Sequence, residues 1–160
     1  MEPHRIIWHH SADPSTGPQL YKINEHHRQR GFPKSNRGYF VGYHWLIEPD
    51  GMMWQTRDES EIGAHDTGEN MDSLGICLAG DFTARAPSEA QAVSAAELVG
   101  KIRVRWDIRL SRIEPHRWDD ATECPGTFLP DNWLVNEYLK RSGHPWHRVF
   151  WYIGEKLKLL

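Results

Sequence analysis

The apolar residues of this chain occur in short runs, and polar residues interrupt every one of them. The run from Arg5 to His10 has the length of a buried strand, and the run from Leu74 to Ala79 is suited to a central strand. From Ala92 to Trp106 the apolar residues instead recur along one face of a helix. This order predicts a mixed α/β (α+β) domain with one central, mostly mixed β-sheet flanked by helices.

Capping and turn residues indicate the remaining elements. Thr16 and Gln19 have capping-box spacing, which predicts a helix that runs to about Arg30, and Ser88 with Gln91 predicts a similar helix start. Turn residues at 49–51 separate two β-favouring runs and predict a hairpin. The hairpin strands are predicted at Tyr43–Ile47 and Met52–Thr56. Leu110–Ile113 is predicted to be an edge strand. A last helix, capped by Asp131, is predicted to run to about Leu139.

The two cysteines are too few for a disulfide-dense scaffold, so Cys77 and Cys124 are each interpreted as a packing residue, a metal ligand or a nucleophile. With 160 residues the chain is long enough to bury a core without such staples. Its formal net charge of -3 is not extreme, so we expect no nucleic-acid partner. We also expect a monomer. No signal peptide is indicated, since the chain opens without an apolar stretch of that length, and we expect synthesis in the cytosol.

Several side chains that could carry chemistry lie at predicted strand ends and in loops. His116 and Cys124 are eight residues apart in an irregular, polar segment, and His9 lies at the end of the first predicted strand. A thiolate and an imidazole from one loop, with an imidazole from a strand end, would give zinc three protein ligands and an open fourth position. If the strand alternates, His9 and His10 point to opposite faces, so only one of them can join such a site.

A series of separated motifs resembles the type 2 N-acetylmuramoyl-L-alanine amidases, a family that includes amidase-type lysozymes of bacteriophages and the peptidoglycan recognition proteins. The resemblance covers roughly residues 5 to 140, with the motifs in the same order. It implies the fold of those proteins. The matching segments are Ile7-Trp8-His9-His10-Ser11-Ala12, Val41-Gly42-Tyr43-His44-Trp45, Asp50-Gly51, Gly63-Ala64-His65, Asn70, Ser73-Leu74-Gly75-Ile76-Cys77-Leu78, and Pro115-His116 through Cys124-Pro125.

The resemblance also implies a role for individual residues. His9, His116 and Cys124 match the ligands of one zinc ion, and Tyr43 matches the tyrosine that faces the reacting water or the scissile carbonyl. Thr122 stands where phage amidases often have lysine and resembles the recognition-protein branch; with Tyr43 it would orient water or stabilise the tetrahedral intermediate. Two further residues, His65 and Asn70, would line the groove and contact the glycan or the stem peptide.

These roles imply a zinc-dependent peptidoglycan hydrolase that cleaves the amide bond between N-acetylmuramic acid and L-alanine of the stem peptide. We expect a phage endolysin, made in the cytosol, that acts on the cell wall after release and causes host lysis. Other interpretations stay open at this point. They are a non-catalytic peptidoglycan-binding module, a bacterial autolysin or recycling amidase, a Cys124 nucleophile paired with His116, and a structural zinc domain with His10 or Asp120 as fourth ligand.

The carboxyl-terminal end differs in charge from the rest of the chain. The last 21 residues contain five basic side chains and one acidic one, a net charge of +4, so the first 139 residues carry -7 of the total of -3. Apolar residues recur at helical spacing after Pro145. We therefore expect an amidase domain at 1–141 and a basic amphipathic helical extension at 142–160. Trp146–Leu160 would either contact a membrane or outer-envelope lipid, or dock on the acidic domain.

Overall fold

The computed structural model describes residues 1–143. The predicted helical extension, with its lipid contact through Trp146–Leu160, lies outside the described residues except for its first two positions, and both it and the domain boundary stay predictions. Within residues 1–143, none of the helices is long and apolar enough to cross a membrane. The elements are β1 Arg5–His10, α1 Leu20–Gln29, β2 Trp45–Ile47, β3 Met53–Gln55, β4 Ser73–Leu78, α2 Glu89–Arg105, β5 Ile113–Pro115 and α3 Trp133–Arg141.

The five strands form one mixed sheet in the order β3-β2-β4-β1-β5. β1 runs parallel to both of its neighbours, β4 and β5, and β2 is parallel to β4. Only the β2–β3 pair is antiparallel, which confirms the predicted hairpin in a shorter form. The parallel pairing brings the carboxyl ends of β1 and β5 to the same edge of the sheet.

The two faces of the sheet have separate apolar cores. On one face, Ile6 and Trp8 of β1 pack with residues of α2 and α3 such as Ile102 and Leu134. On the other face, Leu20 and Ile23 of α1 pack with residues of β2 and β4. Because side chains alternate along a strand, His9 lies on the α1 face, beside its register partner Cys77. The predicted layered α/β arrangement is confirmed.

The predicted cap of α2 is confirmed, and that of α1 is wrong. The Ser88 hydroxyl accepts the backbone N–H of Gln91, and the Gln91 side chain accepts that of Ser88. α1 instead begins at Leu20, and Thr16 does not cap it. Both carboxylate oxygens of the buried Glu48, which follows β2, accept backbone N–H groups at the start of α1, at 2.8 Å each. A distant side chain therefore replaces the local cap.

Two boundaries after α2 also differ from the prediction. Leu110–Arg112 forms a 3-10 turn, and the edge strand follows it as β5. α3 begins at Trp133, two residues after Asp131, which does not cap it. The Asp131 carboxylate instead accepts the indole N–H of Trp118 at 2.9 Å and pairs with Arg117. Its side chain therefore anchors the loop that follows β5 rather than the helix start.

Candidate metal centre and active-site cleft

Three side chains predicted to bind metal converge at the carboxyl ends of β1 and β5. The parallel register pairs Trp8 with Pro115, the last residue of β5. The residues that come next, His9 of β1 and His116 directly after β5, therefore lie side by side, with ring centroids 4.4 Å apart. Cys124 arrives from the loop that follows β5, and its Sγ lies 3.8 Å from Nδ1 of His9. One donor atom from each of the three lies within 4.8 Å of the others.

The spacing and chemistry of these donors fit a zinc ion. Zn–N and Zn–S bonds of ordinary length at a tetrahedral angle separate the two donor atoms by about 3.6 Å, close to the distance between His9 and Cys124. Nδ1 of His116 is buried and has no hydrogen-bond partner among the described residues. A buried ring nitrogen without a partner is rare in proteins, and a metal ion would satisfy it. Imidazole nitrogen and thiolate sulfur are both ordinary zinc ligands, and three protein ligands are the number that a catalytic zinc site uses.

The protonation states also suit ligation. Burial lowers the pKa of His9 well below its usual value, reinforced by His65 and His116, so its imidazole is neutral at neutral pH. Burial raises the pKa of the Cys124 thiol to about 12, although the N–H of His10, which donates to Sγ at 3.4 Å, opposes the shift. Reactive cysteines have depressed pKa values, so the environment of Cys124 does not favour a nucleophile. Metal coordination would deprotonate it.

The two residues considered as a fourth ligand lie elsewhere. Nδ1 of His10 accepts the backbone N–H of Phe82 at 3.3 Å, and its ring nitrogen is not part of the three-donor group. Asp120 pairs with Nε2 of His116 at 3.3 Å and is not part of that group either. Within residues 1–143, the three donors therefore have no fourth protein ligand, and a catalytic zinc site keeps that position for water or substrate.

Tyr43 lines the same cleft. Its ring centroid lies 5.2 Å from that of His9 and 5.6 Å from that of His27. Burial raises the pKa of its phenol well above the usual value, and the nearby Cys77 and Cys124 act in the same direction. The hydroxyl therefore stays protonated at neutral pH and can donate a hydrogen bond.

Thr122 is exposed at the edge of the cleft. Its hydroxyl oxygen accepts the backbone N–H of Cys124 at 3.2 Å, which fixes the turn that carries the thiol. The hydroxyl proton is not used by this bond, so Thr122 can both position Cys124 and donate to a bound group.

The two predicted substrate-binding residues make internal contacts. His65 is only 9% exposed, and its Nδ1 lies 3.1 Å from Nε2 of His9. The side-chain oxygen of Asn70 accepts the backbone N–H groups of His65 and Asp66, at 2.8 and 3.1 Å. Their contact with glycan or peptide stays a prediction.

The cleft has a volume of about 360 Å³ and includes side chains that the sequence analysis did not single out. His27 stacks on Phe32, with ring centroids 4.4 Å apart, and the Arg30 guanidinium lies 5.1 Å from the centroid of Phe32. Spacing could have found His27, because it continues the buried face of Leu20 and Ile23 on α1. Asp66 also lines the cleft, and the sequence gives no comparable signal for it.

Comparisons with known proteins agree with one another. The sequence profile of the N-acetylmuramoyl-L-alanine amidase family matches residues 1–127. An endolysin of Klebsiella phage KP32 is 33% identical over 150 residues, which cover 90% of this chain and 93% of the phage protein. Peptidoglycan-recognition protein SC2 of Drosophila melanogaster is 30% identical, covering 76% of this chain and 67% of that protein. The amidase LysC of Clostridium intestinale superposes with a TM-score of 0.72 at 30% identity, covering 88% of this chain and 85% of its own.

Proposed function

The chain belongs to the N-acetylmuramoyl-L-alanine amidase family, and on that premise we propose that it hydrolyses peptidoglycan with a zinc ion held by His9, His116 and Cys124. It is an amidase of the phage endolysin type, with peptidoglycan as its substrate. The proposed cut is the amide bond between N-acetylmuramic acid and the L-alanine of the stem peptide. The observation that carries the proposal is the convergence of the three donor atoms within 4.8 Å, inside a cleft.

When bound, zinc supplies a Lewis acid that polarises the amide carbonyl and makes water a stronger nucleophile at neutral pH. The protein supplies the orientation of the groups around it. Tyr43, whose hydroxyl stays protonated, donates a hydrogen bond to the carbonyl oxygen as negative charge develops there. Thr122, which also lines the cleft, donates a second hydrogen bond and keeps the Cys124 turn in place. Arg30, at the end of α1, offers a cation to a carboxylate of the stem peptide.

The proposed biological role is that of a phage endolysin. Its support is the relation to the KP32 protein, which extends over 93% of that endolysin. We propose that the protein is made in the cytosol and reaches the wall only after the inner membrane is opened. Expression in a Gram-negative host tests this role: lysis should begin when the membrane is permeabilised and not before. Lysis without permeabilisation would contradict it.

The proposed reaction is tested on purified peptidoglycan by counting newly freed alanine amino groups. Removal of metal with a chelator should abolish their release, and added zinc should restore it. His9→Gln should lower the rate at least about a hundredfold, since it removes a zinc ligand. His26→Gln changes an exposed histidine of α1 in the same way and serves as the matched control. Full activity of the metal-free protein, or equal activity of both variants, would refute the zinc mechanism.

A further inference from the structure

Two adjacent residues outside the three-donor group each contact one of its two histidines. The turn between Gly63 and Asn70 carries His65, which meets His9, and Asp66, which meets His116. The side-chain oxygen of Asn70 holds the backbone N–H groups of both residues. One short turn therefore contacts two side chains that come from β1 and from the segment directly after β5.

The contact between His9 and His65 is part of a consistent hydrogen-bond chain. Nδ1 of His9 faces Cys124, so the ring proton of His9 lies on Nε2 and is donated to Nδ1 of His65, 3.1 Å away. His65 then carries its own proton on Nε2, which lies 3.5 Å from the hydroxyl oxygen of Ser73. The Ser73 hydroxyl in turn donates to the backbone oxygen of Glu69. Every donor in the chain has an acceptor.

The fold makes room for the His65 ring. A Cβ atom at Gly63 would come within 2.5 Å of this ring, and so would one at Gly75 of β4. Both contacts are far shorter than side-chain carbon atoms tolerate, so these two positions accommodate the ring only as glycine. The placement of His65 beneath His9 is therefore fixed by the surrounding backbone.

Asp66 is the less expected half of this arrangement. Its side chain is fully buried, and neither carboxylate oxygen has a hydrogen-bond partner within residues 1–143. Its one ion-pair contact among those residues is with Nε2 of His116, at 3.8 Å. Asp120 approaches the same nitrogen from the exposed side, at 3.3 Å. A buried carboxylate without a hydrogen-bond partner costs stability, so its presence beside His116 calls for a compensating role in the site.

We propose that His65 and Asp66 are positioning residues that orient His9 and His116 for zinc, with Asp120 assisting from the solvent side. Metal-binding histidines characteristically donate their second ring N–H to a carboxylate or another acceptor, which fixes the tautomer and makes the ligand nitrogen more basic. The structure provides an acceptor for each histidine: Nδ1 of His65 for His9, and the Asp120 carboxylate for His116 at 3.3 Å. The Asp66 carboxylate adds a buried negative charge 3.8 Å from the same nitrogen of His116. A second cation between Asp66 and Asp120 would bind Nε2 of His116 in place of its proton, so such a cation and the proposed positioning contact exclude each other. The inference rests on the zinc site of the proposed function.

Zinc affinity of the purified full chain, measured by competition with a chromogenic chelator, tests this inference without any activity assay. The double variant Asp66→Asn/Asp120→Asn should bind zinc about ten- to a hundredfold more weakly, the usual effect of losing such outer partners. Glu123→Gln removes one exposed charge from the same loop, beside Cys124, and should bind zinc as the wild type does. His65→Leu should also weaken binding, whereas His65→Asn keeps an acceptor near Nδ1 and should restore most of the affinity.

Stability of the metal-free protein separates positioning from folding. With excess chelator, the melting temperature of Asp66→Asn/Asp120→Asn should equal or exceed that of the wild type, because a buried unpaired charge is removed. Zinc affinity within threefold of wild type in this variant, or a melting temperature that falls together with the affinity, would overturn the inference. A stoichiometry of two zinc ions would overturn it in favour of a second cation site. A wild type that binds no zinc would instead refute the proposed function itself.

Discussion

The buried imidazole of His44 makes the stability of this fold depend on pH in a predictable way. His44 precedes β2 and is completely buried. Its Nδ1 accepts the backbone N–H of Gly75 at 3.0 Å, and its Nε2–H donates to the backbone oxygen of Glu61 at 3.0 Å. A proton on Nδ1 would face the N–H of Gly75 and break that bond. Burial lowers the pKa of His44 from 6.5 to about 4.

The direction and size of the effect follow from this shift. The unfolded chain keeps the usual pKa, so between pH 6.5 and about 4 it binds more protons at this position than the folded chain does. The contribution of His44 to the free energy of unfolding is fully present above pH 6.5, the unfolded pKa, and decreases as the pH falls toward the folded pKa of about 4. A shift of about 2.5 units corresponds to roughly 3 kcal/mol in the free energy of unfolding.

Urea unfolding of the wild type and of His44→Gln, from about pH 7 to about pH 4, measures the contribution of this one residue. The variant lacks the titrating group. The amount by which its free energy of unfolding lies below that of the wild type should therefore shrink by roughly 3 kcal/mol as the pH falls. The other buried histidines titrate in both proteins, so their contributions cancel in the difference between the two free energies of unfolding. His26→Gln, an exposed position, is the matched control. A deficit that stays constant over this range would refute the reasoning.

Three further substitutions are predicted to have distinct effects. Arg5→Met removes a buried guanidinium that pairs with four carboxylates and should cost about 3–5 kcal/mol of unfolding free energy; a loss under about 1 kcal/mol would contradict the burial argument. Glu48→Gln leaves one acceptor oxygen for the two N–H groups at the start of α1 and should cost about 2–3 kcal/mol by urea unfolding; an unchanged free energy of unfolding would show that Glu48 does not cap α1. Tyr43→Phe should lower kcat about a hundredfold on soluble muropeptides, with KM and zinc content unchanged; an unchanged kcat would exclude its hydroxyl from the reaction.

The convergence of the three donor residues was predictable from the sequence, whereas their surroundings were not. Strand alternation separated His9 from His10, and the motif order paired His116 with Cys124, because those signals are local or shared with a family. The side-by-side placement of His9 and His116 depends on the β1–β5 register, which no single segment of sequence specifies. Asp66 could not be found, because its role depends on a turn that folds against another strand.

Helix starts show the same limit. The Ser88 box was predictable because all its atoms lie within four residues. The similar spacing at Thr16 failed because Glu48, on a different element, supplies a charged acceptor that a hydroxyl cannot match. Asp131 failed as a cap because Trp118 and Arg117 bind its carboxylate. Local rules are overridden where a buried or charged partner from another element is available.

X-ray absorption at the zinc edge of the purified protein tests the central claim most directly. The account predicts one zinc per chain, with one sulfur at about 2.3 Å and nitrogen ligands at about 2.0–2.1 Å. The sulfur contribution should disappear in Cys124→Ser and stay in Cys77→Ala, since Cys77 is a core residue outside the donor group. A wild-type spectrum without sulfur, or one that Cys124→Ser leaves unchanged, would contradict the assignment of His9, His116 and Cys124 as the zinc site.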